Sequence, residues 1–146
     1  MAGVDLTAIR IALANAVNVV SGVRAYPTQP GPIATSSSTE TMVVVMPDED
    51  TYVNYWEAFK GGAAEVRLRL VIICQMADFA AAQRRVDALM SAGTGTTRSL
   101  LDAVQTDRTL SGTVGDTHVG DGRYDGERDG FLTASMSVRC VMRREA

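Results

Sequence analysis

Residues 65–75 read Glu-Val-Arg-Leu-Arg-Leu-Val-Ile-Ile-Cys-Gln, and the class of fold turns on this stretch. Val66, Leu68 and Leu70 alternate with Arg67 and Arg69. That period of two places apolar side chains on one face of a strand and charged ones on the other. From Val71 to Cys74 the alternation gives way to apolar residues on both faces, which predicts a central strand covered on both sides there. A central strand needs partners, and the chain offers them before and after it.

Upstream, Met42–Met46 predicts a buried strand, stopped by Pro47 and the acidic turn Asp48-Glu49-Asp50. Downstream, Thr113–Val119 predicts another, and Gly120–Gly130, rich in Asp and Gly, predicts a hairpin turn. Phe131–Met142 then gives the longest strand, with Leu132, Ala134, Met136, Val138, Cys140 and Met142 facing one way. Three helices complete the set. Asp5 caps a first, whose apolar stripe runs Leu6, Ile9, Leu13, Ala16, Val17 and Val20 and which ends at Ser21-Gly22. Asp78 caps a second, with Phe79, Ala82, Val86, Leu89 and Met90 on one face, closed by Gly93 and Gly95. Ser99 opens a short third, with Leu100, Leu101 and Val104 apolar and Asp102 three residues on as a weak capping box. Tyr26–Pro32 carries Pro27, Pro30 and Pro32 and cannot be regular helix or central strand, so about residues 27–41 are expected as a solvated loop. The expected class is α+β: a mixed, mostly antiparallel sheet packed by helices, with extended loops, in one domain over residues 1–146.

Composition bounds the function. At 146 residues the chain fits one domain with a core of its own, and 46% hydrophobic with 21% charged residues is ordinary for a globular protein. The net charge of −3 argues against tight nucleic-acid binding, which draws on a basic excess. Lys60 is the only lysine among many arginines, the mark of a GC-rich genome rather than of a chemistry. Cys74 and Cys140 are read as buried apolar residues of a reducing compartment, although a disulfide stays open if their strands are neighbours. No apolar run reaches the roughly 20 residues a membrane helix needs, and no signal peptide is apparent, so the expected place of synthesis is the cytoplasm.

Chemistry-bearing constellations are few. His118, the only histidine, has no Cys or second His beside it and is expected to face solvent at a strand edge. Gly93-Thr94-Gly95-Thr96-Thr97-Arg98-Ser99 superficially looks like a phosphate loop, but it follows a helix, not a strand, and lacks the lysine. Asp125-Gly126-Glu127-Arg128-Asp129-Gly130 has carboxylates spaced as in a calcium loop, yet Met136 stands where the bidentate glutamate belongs. Catalytic, cofactor and metal residues are therefore not assigned. Two clusters are candidate interfaces. Tyr52, Tyr55, Trp56 and Phe59 fall on one face if residues 51–59 are helical, either as core beneath a loop or as a contact surface. Arg139, Arg143 and Arg144 are a solvated strand end or a lumen or partner contact.

The order of these parts resembles the tail terminators of long-tailed siphophages, the group of minor tail protein U. The resemblance lies in the opening helix and its turn into "SGVRAYPTQPGPI", and in the strand with its proline stop, "MVVVMPDEDTY". It continues through "YVNYWEAFKGGAAEVRLRLVIICQ", the helices "DFAAAQRRVDALM" and "SLLDAV", and two closing strands. It covers nearly the whole chain as loose patterns. It implies a homo-oligomeric ring, usually a hexamer, at the head-proximal end of the tail in the virion, assembled in the host cytoplasm. Its partners would be the tail tube protein and a neck or head-completion protein, with genomic DNA passing through the lumen without specific binding. It implies no cofactor and no membrane. A head-completion or adaptor protein of the neck is the alternative, and a small enzyme of unknown type the rival from another class.

Overall fold

A computed structural model describes residues 4–28, 41–55, 63–75, 78–128 and 130–143. In chain order its elements are α1 (Leu6–Val17), β1 (Val23–Tyr26), β2 (Thr41–Pro47), β3 (Val53–Tyr55), β4 (Ala63–Gln75), α2 (Phe79–Met90), α3 (Leu100–Thr106), β5 (Asp116–Arg128) and β6 (Phe131–Arg143). The strand read at residues 65–75 is the spine of the sheet. β4 pairs with β2 on one side and, over its whole length, with β6 on the other. The sheet order is β1-β2-β4-β6-β5, with β3 continuing beside β4 beyond the end of β2. Every pairing is antiparallel except β1 with β2, so the fold is α+β with a mixed, mostly antiparallel sheet.

The alternation in β4 decides which way the sheet faces. Val66, Leu68, Leu70 and Ile72 are fully buried, and they meet Leu132, Ala134, Met136, Val138 and Cys140 of β6 in one core with the helices. α1 adds Ile9, Leu13 and Val17, α2 adds Ala82, Val86 and Leu89, and α3 adds Leu100, Ala103 and Val104. Burying a side chain of this size stabilises by roughly 1.5–3 kcal/mol. Among the described residues the opposite face carries no helix. Val71 and Ile73 are there only half-buried, so the expected cover on both sides is partial.

The predicted helix caps form: Asp5 accepts from the Ala8 N–H at 3.1 Å and Asp78 from the Ala80 N–H at 3.1 Å. α1 stops at Val17, before the predicted Val20, yet Val20 stays buried because the following turn folds back onto the core. Phe79, expected on the buried face of α2, is instead 53% exposed in its first turn. Val23–Tyr26 is a strand that the prolines had hidden. Among the described residues it is an edge strand paired with β2 alone, so Pro27 just beyond it interrupts no ladder there. Thr41, expected in the loop, begins β2, is buried, and takes part in the parallel pairing. The rest of that expected loop, residues 29–40, lies outside the described residues.

The largest correction concerns residues 113–130. The strand starts at Asp116 rather than Thr113, and the expected turn from Gly120 is strand as far as Arg128. Here glycine signals close approach and bulging rather than reversal. A Cβ on Gly122 would lie 2.6 Å from the tip of Met90, and the ladder slips between Val119 and Gly122 and again between Tyr124 and Gly126. Gly126 sits at the second bulge with φ +82°, a conformation costly for residues with a Cβ. Gly126→Ala is expected to destabilise the protein by about 1–2 kcal/mol, read as a lower urea midpoint at unchanged slope.

The same register settles the cysteines. Both side chains are buried and free. Cys140 stands opposite Val66, whereas Cys74 lies eight residues further along β4, roughly 26 Å away at the rise of a strand. Burial pushes the Cys140 thiol up to about 12. A thiol held neutral and covered does not react. Alkylation at pH 8 should therefore leave Cys140 unmodified in the native protein and label it fully in urea.

Candidate functional site

The face without helices is built from the alternate residues of β4 and β6. Glu65, Arg67 and Arg69 come from β4, and Ser135, Ser137 and Arg139 from β6. The register sets Arg67 opposite Arg139 and Arg139 opposite His118, three basic side chains in one row across three strands. Like charges directly opposite each other destabilise a sheet. Glu65 offsets this. Its carboxylate, 3% exposed, accepts a hydrogen bond from Nε of Arg67 and lies 3.8 Å from a guanidinium nitrogen of Arg139. That hydrogen bond first, and then the charge of Glu65, raise the pKa of Arg67 above its already high value. The outer edges of the row stay open, with Arg67, Arg139 and His118 side chains 43%, 49% and 46% exposed.

The next row is held by the excursion between β2 and β3. The Asp48 N–H donates to the carbonyl of Arg67 at 3.0 Å, and the Arg67 N–H donates to the carbonyl of Tyr52 at 2.8 Å. β2 and β3 are thus one edge of β4 with Asp48–Tyr52 looped out between them. The loop brings Asp48 to 3.9 Å from Arg69, which also donates to Ser135 Oγ at 2.9 Å. Along this face lies an open groove of about 500 Å³ whose lining mixes both charges, Arg67, Arg69, Arg123, Arg139 and His118 with Asp48, Asp50 and Asp121. It can hold a charged chain segment.

At the margin of this face Asp116 accepts two hydrogen bonds of 2.8 Å from Arg108 and lies 3.5 Å from His118 Nε2. The Arg108 hydrogen bonds are the main reason its carboxyl titrates below the usual range. His118 itself is exposed, as its strand-edge position suggested.

The glycine-threonine loop that superficially looked like a phosphate cradle does hold an anion, and the anion is internal. The N–H groups of Gly93, Thr94 and Gly95 all donate to the Asp102 carboxylate, at 2.9, 2.8 and 2.8 Å. Asp102 therefore does not reach back to cap Ser99, as the capping-box reading had it. Ser99 Oγ accepts from the Asp102 N–H and donates to the carbonyl of Ser91, joining the end of α2 to the start of α3. The backbone donors hold the Asp102 carboxyl below its usual range. A depressed folded pKa adds stability above the unfolded value of about 3.9 and loses it as pH falls through the folded value. Asp102→Asn should thus lie below wild type in stability at pH 7, and the gap should narrow toward pH 2 in denaturation curves.

Residues 53–55 form a strand, so Tyr52 and Tyr55 do not share the helical face expected of them. Tyr52 is half-buried and packs against the core, and Tyr55 pairs through its backbone with Ala64. Trp56 and Phe59 lie outside the described residues. Arg139 is in the charged row, Arg143 ends β6 opposite Ala63, and Arg144 lies outside the described residues. Asp125 and Glu127 stand on β5, and Glu127 accepts from the Gly130 N–H at 2.9 Å, which closes the hairpin. Among the described residues no three His, Cys, Asp or Glu side chains group as a metal shell, and no helix is long and apolar enough to cross a membrane. Glu65 was missed because it opens the strand in sequence; the two arginines that follow were its only signal. Comparison with known proteins matches this chain to no protein-family model and to no curated protein.

Proposed function

We propose that this protein is the terminator of a long-tailed phage tail. In this reading it is a homo-oligomeric ring, of six copies by the resemblance, that seats on the head-proximal end of the tail tube. There it stops the tube's growth and offers a surface to a neck or head-completion protein. The observation that carries the reading is the one-sided sheet. Helices cover one face, and the other keeps a half-exposed row of charges beside a groove. A terminator must present unlike surfaces to the tube and to the neck, and a two-layer fold covered on one side has them. The order of helix, strands, two helices and two closing antiparallel strands also agrees with the resemblance.

The mechanism is steric and thermodynamic. One surface repeats the contacts that one tube ring makes with the next, and the other withholds them. Head-to-tail contacts between copies close the ring. Genomic DNA passes through a lumen that does not grip it, in keeping with a net charge of −3. The test is negative-stain imaging of the purified protein with short tail tubes. Rings at one end of tubes that have stopped lengthening are the expected result. Tubes that keep elongating with the protein bound would sink the reading, and binding to portal complexes instead would assign it to the head-side neck.

A further inference from the structure

We propose that the outer edge of β1 is closed to strand addition, with the Asn18 side chain as its guard, and that removing the guard lets a second copy of this chain pair there. The inference is independent of the terminator reading. It starts from an edge that is hazardous by composition. An edge strand offers its row of backbone N–H and C=O groups to any other strand. Behind β1 lie residues 42–46 of β2, Met-Val-Val-Val-Met, an uncharged apolar run of the kind that stacks into cross-β assemblies. β1 itself spans only four residues and, among the described residues, pairs with β2 alone.

The outward donors of this edge are occupied or missing. Along a strand, the backbone groups of successive residues point alternately to its two sides. The Gly22 carbonyl accepts from the Thr41 N–H at 2.8 Å, so residues 22, 24 and 26 face β2 and residues 23, 25 and 27 face away. The Val23 N–H donates to the Val20 carbonyl at 3.2 Å, and the Ala25 N–H donates to Asn18 Oδ1 at 2.8 Å. Pro27, in the next outward place, has no N–H. Where β2 runs on past β1, Pro47 takes an outward place as well, because the Thr41 N–H sets odd-numbered residues of β2 toward that side. An incoming strand therefore meets carbonyls without free donors, and its own carbonyls would be covered unpaired. Asn18 is the one side chain in this defence. It is exposed just beyond α1, so replacing it leaves the core untouched.

The test combines amide exchange with sedimentation velocity on the full chain. In wild type the Ala25 amide should exchange slowly although it lies on an edge, and unprotected exchange there would already sink the inference. Asn18→Ala should speed that exchange by at least about tenfold. Asn18→Ala combined with Pro27→Ala frees two donors two residues apart, and should give species heavier than any that wild type forms at the same concentration. Asn18→Asp combined with Pro27→Ala keeps the acceptor and should sediment like wild type. Gly126→Ala, which loses stability without touching this edge, should do the same. Amide spectra report whether each variant is folded. A folded Asn18→Ala, Pro27→Ala protein that sediments like wild type would overturn the inference. So would heavier species formed equally by the Asp-bearing pair, which would clear Asn18, or by Gly126→Ala, which would point to instability instead. No readout involves a tail tube, so either result leaves the terminator reading to its own test.

Discussion

Leu110→Ala will lower the free energy of unfolding by about 2–5 kcal/mol, the range for truncating a fully buried leucine. Leu110 lies in the turn after α3, and its side chain is 0% exposed within the core. It is also held at φ +50°, followed by Ser111 at φ +58° and Gly112 at φ +85°. Left-handed backbone costs roughly 1–2 kcal/mol for a residue with a Cβ, so burial of this side chain must outweigh the strain of placing it. Hydrogen bonds hold the turn in place, from the Leu110 N–H to the Asp107 carbonyl at 3.0 Å and from the Ser111 N–H to the Asp107 carboxylate at 2.9 Å. Alanine keeps the strained backbone and gives up the burial. Ser111→Gly is the control, because it relieves strain at an exposed position and leaves the N–H bond to Asp107 intact. Its expected effect is a gain of up to about 1 kcal/mol. Urea denaturation of both variants decides the matter: if Leu110→Ala costs less than the control gains, the leucine does not anchor this turn.

Glu65→Ala should cost about 1–3 kcal/mol, the range for losing hydrogen bonds to a charged group, at the lower end because both arginine partners are half exposed. The carboxylate is what lets Arg67 and Arg139 stand opposite each other. Without it the repulsion between them remains, and added salt should then narrow the gap to wild type by screening it. Removing Arg139 as well should recover part of the loss, a non-additivity of at least about 0.5 kcal/mol in a double-mutant cycle. Additive effects would mean that Glu65 acts through packing alone.

Where sequence and structure agree, a local rule was enough. The period of two in β4 and the stripes of α1 and α2 are visible because burial imposes them on neighbouring residues. The caps at Asp5, Asp78 and Ser99 are equally local. The misreadings share a cause of the opposite kind. Gly120 and Gly122 look like a turn to any local rule, but they lie within a strand, where the side-chain tips of Ser137 and Met90 come close to them from distant elements. Tyr52 and Tyr55 fit helical spacing, yet pairing with Glu65 and its neighbours draws residues 53–55 into the sheet.

The sequence by itself determined the α+β class, the core faces of β4 and β6 and the starts of all three helices, because each depends on residues within one or two turns of each other. Only the tertiary structure decided the charged row. Arg67, His118 and Arg139 lie far apart in the chain, and nothing local aligns them. Long-range antiparallel register does so, fixed by burying the other face of the same strands. The same is true of Asp102 in the amides of Gly93–Gly95, where loop closure by the α2–α3 connection turns an apparent ligand site into a structural one.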